Sequence, residues 1–173
     1  EMKRYEPKRW QGENRADVKE LNLPTAEPPQ KTFTKSPYVI DDGTRRVEFR
    51  HFGWAHTRGD GFVYLPKEKI LCTGDAATNG PYNFTSDGNI GNWPKVMAAA
   101  EKLDIAQVLP GHGPNGDRGI LSGERRFMEE LMKAVKAEVK KGKKLEDLVT
   151  LEKGAPKSTS VKLPEEVKNW VSN

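Results

Sequence analysis

Polar and apolar residues alternate along Arg46-Val47-Glu48-Phe49-Arg50-His51-Phe52, the period-two pattern of a strand with one buried face. Upstream, Pro37-Tyr38-Val39-Ile40 runs into Asp41-Asp42-Gly43, residues that favour a tight turn. The stretch predicts a hairpin. Lys31-Thr32-Phe33-Thr34 has β-favouring residues and is expected to add a short strand. A second hairpin is expected from residues 61–65 and 69–73, joined by Pro66-Lys67-Glu68 and broken at Gly74. Residues 76–92 are rich in Gly, Asn, Thr and Pro and read as a long irregular loop.

Helical spacing begins at Trp93, with Val96, Met97, Ala100 and Leu103 on the same side. Asn92 is the expected N-cap and Pro94 suits the first turn. Residues 105–109 read as a short apolar strand stopped by Pro110-Gly111. The strongest helix runs over 120–141. Leu121, Phe127, Met128, Leu131, Val135 and Val139 form its apolar face, and Gly142 ends it. Smaller helices are expected at 145–149 and 164–171. Residues 1–30 are polar, carry Pro7, Pro24, Pro28 and Pro29, and read as an extended lead-in to a domain over 31–173. Two hairpins, a helix, a strand and further helices make an α+β arrangement with the helices on one side of a mostly antiparallel sheet.

Composition changes this picture in only a few respects. A chain of 173 residues suffices for one domain. With 35% hydrophobic residues and a mean hydropathy of −0.79, its composition is that of a soluble protein with a modest core. No apolar run reaches the length that spans a bilayer, so no membrane partner is expected, and the compartment, cytoplasmic or periplasmic, stays open. The single cysteine, Cys72, excludes an intramolecular disulfide and reads as a strand residue. A net charge of +4 reads as a mildly basic solvated surface. It also leaves open a basic nucleic-acid-binding module that uses the face from Lys133 to Lys144, a partner not otherwise expected.

Three histidines limit the chemistry. His51 lies within the alternating strand and reads as structural. His56 follows that strand, Asp75 ends the strand of Leu71-Cys72-Thr73-Gly74, and His112 follows Leu109-Pro110-Gly111. All three of His56, Asp75 and His112 stand where a strand yields to a loop, and neighbouring strand ends can converge on one rim. Imidazole nitrogen and carboxylate oxygen suit Zn²⁺. Taken singly, each also reads as an ordinary turn or surface residue. Asp60 is a candidate hydrogen-bond partner for a ligand histidine. Tyr82, Asn83 and Trp93 are candidates for lining a substrate pocket.

Together, Gly53-Trp54-Ala55-His56-Thr57-Arg58-Gly59-Asp60, Cys72-Thr73-Gly74-Asp75 and Leu109-Pro110-Gly111-His112-Gly113 resemble the later motifs of the metallo-β-lactamase superfamily. The segment from Asp87 to Leu103 is similar to the hydrolase-like branch of that family. The resemblance covers roughly residues 30–140. It implies half of a four-layer αββα sandwich and a centre of two divalent metal ions, zinc or else iron or manganese. His56 would complete one metal site, Asp75 would bridge both as the catalytic carboxylate, and His112 would complete the other. A metal-activated water would then attack a small-molecule ester, thioester, amide or phosphodiester.

The family's His-x-His-x-Asp-His motif is absent, and no histidine precedes His51. The expectation is therefore a fragment, inactive by itself, that is completed by the N-terminal half of the domain or by a second copy of this chain. The other reading is a non-catalytic half-domain acting in association or dimerisation.

Overall fold

A computed structural model describes residues 31–80, 83–85, 87–144, 147, 149–152 and 155–158. Five strands form one sheet in chain order: β1 (Tyr38–Asp41), β2 (Arg46–Arg50), β3 (Phe62–Leu65), β4 (Ile70–Gly74) and β5 (Gln107–Pro110). The first four pair antiparallel, and β5 runs parallel to β4. A parallel neighbour requires a crossover, and the chain makes it through α1 (Trp93–Ala100). Helix α2 (Gly119–Lys140) follows β5 and packs on α1. A separate antiparallel pair, β6 (Val149–Glu152) and β7 (Ala155–Ser158), comes last.

Both predicted hairpins form. Asp42 Oδ1 accepts the amides of Thr44 and Arg45 at 2.8 Å each and closes the first turn. Those amides also hold the Asp42 carboxyl below its usual range.

The register lines up Glu48, Tyr64, Leu71 and Val108 across the sheet, and all four are buried. Tyr64, Leu71 and Val108 share one core with Phe62, Trp93, Val96, Met97, Leu121 and Met128. The helices therefore cover this face. Glu48 lies beyond their cover and is paired by Arg46 at 2.9 Å and Arg50 at 2.5 Å. On the opposite face Phe49, Val63, Cys72 and Leu109 form the matching row, and each is only half-buried. On the same face Tyr38 is 41% and Ile40 50% exposed. One face of the sheet is thus packed and the other is apolar and half-open.

The structure corrects several local expectations. Residues 31–34 form no strand. Lys31, Thr32 and Thr34 are exposed, so pairing there would bury nothing, and Phe33 instead stacks on Tyr38 with ring centroids 6.0 Å apart. Asn92 precedes α1 but makes no side-chain cap; its backbone is already helical, with φ −101° and ψ −19°, and its Nδ2 donates to the Trp54 carbonyl at 3.0 Å. Of the helix expected over 145–149, Asp147 is helical and Val149 instead opens β6, while residues 145, 146 and 148 lie outside the described residues. The lead-in over 1–30 and the helix over 164–171 lie outside the described residues. No described helix is long and apolar enough to cross a membrane.

Candidate metal centre

Parallel pairing brings the C-terminal ends of β4 and β5 to one rim of the sheet. The register shifts between Cys72 and Gly74, and Gly74 takes φ +51°, a left-handed conformation that suits glycine. The chain turns there and presents Asp75. Beyond β5, His112 Nε2 lies 3.3 Å from Asp75 Oδ1. Backbone bonds fasten the two loops. Gly111 N–H donates to the Gly74 carbonyl at 2.9 Å and the Ala77 carbonyl at 3.1 Å, and Asn79 N–H donates to the His112 carbonyl at 2.8 Å. The side chains of Asp75 and His112 are 40% and 75% exposed, so both donors are open to solvent.

His56 sits in a loop organised by Asp60. Asp60 Oδ2 accepts the Ala55 amide at 3.0 Å, and Oδ1 accepts the amide and hydroxyl of Thr57, both at 2.7 Å. The predicted bond from Asp60 to a ligand ring is replaced by bonds to the backbone on either side of His56. Asp60 positions the histidine through the main chain. Its own carbonyl accepts from His51 Nδ1 at 2.8 Å, which gives His51 a structural role.

The His56 ring meets Trp93 edge-on at 5.9 Å and Phe84 at 6.4 Å. Trp93 is fully buried, and its Nε1 donates to the Ala76 carbonyl at 2.8 Å. It therefore lies beneath the rim, where one indole contacts both the His56 ring and the residue after Asp75. Trp93→Phe keeps the ring contact and removes this bond. The expected cost is about 1 kcal/mol of stability, measurable by urea unfolding; an unchanged midpoint would show that the bond contributes nothing.

Asn83 and Glu124 support the Asp75 loop from below. Asn83 Nδ2 donates to the Asp75 carbonyl at 2.9 Å and approaches Glu124 Oε1 at 3.4 Å. Glu124 Oε2 accepts the Thr78 amide at 3.5 Å. Glu124 projects from α2, is 2% exposed, and is pushed by burial from the ordinary 4.5 up to about 7, against the opposing pull of these bonds. Sequence reasoning missed this residue. The available signal was its position, three residues after Leu121 and four before Met128, within the apolar stripe of the helix. Tyr82 lies outside the described residues.

The donor set fits a metal only in part. Asp75 and His112 converge, and their oxygen and nitrogen suit zinc. Among the described residues, no three His, Cys, Asp or Glu side chains gather closely enough to hold one ion, whereas a catalytic zinc takes three protein ligands and a water.

No family model matches the sequence. Over 84 residues the chain is 32% identical to a metallo-β-lactamase type 2 of Bacillus cereus, a match covering 46% of this chain and 33% of that protein. The solved metallo-β-lactamase of Pontibacter korlensis is 25% identical with a TM-score of 0.55, covering 65% of this chain and 61% of that one. A DIM-1 metallo-β-lactamase structure is 27% identical with a TM-score of 0.56, covering 66% and 52%. The chain thus spans a third of the curated relative and little more than half of these solved structures.

Proposed function

The chain belongs to the metallo-β-lactamase superfamily and has a metal-dependent hydrolase fold, and on that premise we propose that it contributes the later ligands of a hydrolytic metal centre. Asp75 and His112 hold one divalent cation, with zinc favoured by their donor chemistry. His56 would supply a further nitrogen donor beside the carboxylate of Asp75. The remaining ligands come from a polypeptide segment that is not in this sequence. The observation that carries the reading is the 3.3 Å approach of His112 to Asp75 across paired strand ends.

The half-open sheet face supports the same reading. Phe49, Val63, Cys72 and Leu109 offer an apolar surface on which a complementary sheet can pack. That surface also favours the second reading, in which the chain acts in association without catalysis. Burial pushes the Cys72 thiol up, so this face carries no activated nucleophile. A divalent metal held there would supply the activation of water needed for hydrolysis of a small-molecule substrate. This chain's residues hold and orient that metal.

Titration with Co²⁺, followed by its visible absorption, tests the site without any turnover. The chain is expected to bind weakly, since it offers two converging donors. Asp75→Ala or His112→Ala abolishes the signal, and His51→Ala leaves it intact. Equal cobalt binding by all four proteins would refute the assignment. Hydrolysis that appears only when the complementary segment is supplied would separate the catalytic reading from the association one.

A further inference from the structure

The geometry points to Glu124 as the positioning residue that holds the Asp75 loop in the conformation that faces His112. The loop leaves β4 at Gly74, and among its described residues there is no strand or helix before α1. Its conformation must therefore be imposed by neighbours. Two of those contacts come from a single carboxyl group on a different element. Glu124 receives the Thr78 amide on one oxygen and the Asn83 side chain on the other. The same Asn83 nitrogen donates to the Asp75 carbonyl at 2.9 Å. A continuous path thus runs from the interior of α2 through Asn83 to the backbone of Asp75.

Burial makes this a specific arrangement. Glu124 is among the largest fully buried side chains, and Thr78 is buried as well. An apolar residue at 124 would fill the space but leave the Thr78 amide without an acceptor, an unfavourable outcome in the interior. A carboxyl group on the core face of a helix is itself disfavoured. Placing it beneath the loop that carries the metal-ligand candidate gives that burial a use. Helix α2 packs on α1, so Glu124 ties the rim to the longest regular element of the fold.

The inference rests on the proposed metal centre for its consequence, not for its geometry, and two measurements keep them separate. Amide hydrogen exchange reads the loop directly, at mildly acidic pH where Glu and Gln are both neutral. In Glu124→Ala, the amides of Asn79 and Gly111, which join the two loops, are expected to exchange about tenfold faster. Amides in the middle of β3 and β4 keep their protection. Asn83→Ala, a change outside the core, reproduces the loosening, and Glu124→Gln, which keeps one of the two acceptor oxygens, gives exchange between that of the native chain and that of Glu124→Ala. Cobalt affinity is expected to fall by about tenfold in Glu124→Ala and by less in Glu124→Gln, which keeps one acceptor.

Unchanged exchange at Asn79 and Gly111 in both alanine variants would overturn the inference. So would uniform acceleration across the sheet, which is the mark of a purely global loss of stability. If the native chain binds no cobalt, the metal-centre reading fails while exchange still decides the role of Glu124.

Discussion

Relative to the native chain, Glu124→Gln is expected to gain about 3 kcal/mol of stability between acidic pH and pH above 7. In the unfolded chain this carboxyl titrates near 4.5, and in the fold burial pushes it to about 7. Below the lower value both states hold the proton, and pH no longer changes the difference between the two proteins. Between the two values the folded state binds the proton more strongly, so stability declines as pH rises. Above about 7 the folded chain must carry an ionised carboxylate in a site that is 2% exposed. Glutamine has the same shape and never ionises, so it removes the whole pH-dependent penalty. Unfolding by urea at acidic, neutral and alkaline pH checks this. A stability difference that does not grow with pH would show that Glu124 titrates normally in the fold. The amide keeps one acceptor oxygen and sets its NH2 against either Thr78 N–H or Asn83 Nδ2, so one of the two loop contacts is lost at every pH while the pH-dependent gain is read separately.

Gly111→Ala is expected to cost about 2 kcal/mol or more and to abolish cobalt binding at the rim. A Cβ at Gly111 would collide with Asp75 Oδ1, and it would lie 2.6 Å from the Gly74 carbonyl carbon and 2.7 Å from the Asp75 nitrogen. Two of those three are backbone atoms, which cannot rotate away as a flexible side chain would. Relief requires the His112 loop to withdraw, which breaks the bonds from Gly111 N–H to the Gly74 and Ala77 carbonyls. The predicted loss of metal affinity follows from that withdrawal, since Asp75 and His112 separate with it. Gly61→Ala is the control. Nothing lies within 4 Å of a Cβ there, and its effect should stay within about 0.5 kcal/mol. Equal stability and cobalt affinity of Gly111→Ala and Gly61→Ala would rule out the close approach of the two loops.

The two variants probe different supports of one rim. Gly111 permits the His112 loop to reach Asp75 from the side of β5, whereas Glu124 holds the Asp75 loop from below. One is a requirement for absence of atoms and the other for a buried polar group. Substitutions at the two positions should therefore lower cobalt affinity by separate routes, although their shared dependence on the Asp75 loop makes strict additivity unexpected.

Local pattern made much of the fold legible. Alternation in Arg46–Arg50, the Asp41-Asp42-Gly43 turn and the spacing of Trp93, Val96, Met97 and Ala100 act over a few residues, so the two hairpins and both helices were foreseen. Where local preference had no buried face behind it, as at residues 31–34, the prediction failed. Asn92 makes no side-chain cap, since its backbone already lies in the helical region, and its amide nitrogen instead meets the distant Trp54 carbonyl.

For the candidate centre, the sequence by itself determined which side chains carry suitable donors and that each stands beside a strand end, along with the family those motifs resemble. Only the tertiary structure decided that Asp75 meets His112, because their approach depends on the parallel pairing of β4 with β5 and on glycine at 111. It also decided that Asp60 acts on the backbone around His56, that Trp93 is buried beneath the rim, and that Glu124 stands under the Asp75 loop. Each of these depends on which distant segments share the interior. Residue type and short-range spacing specify a strand, a turn or a helix face, but the partner of a buried polar group is set by packing.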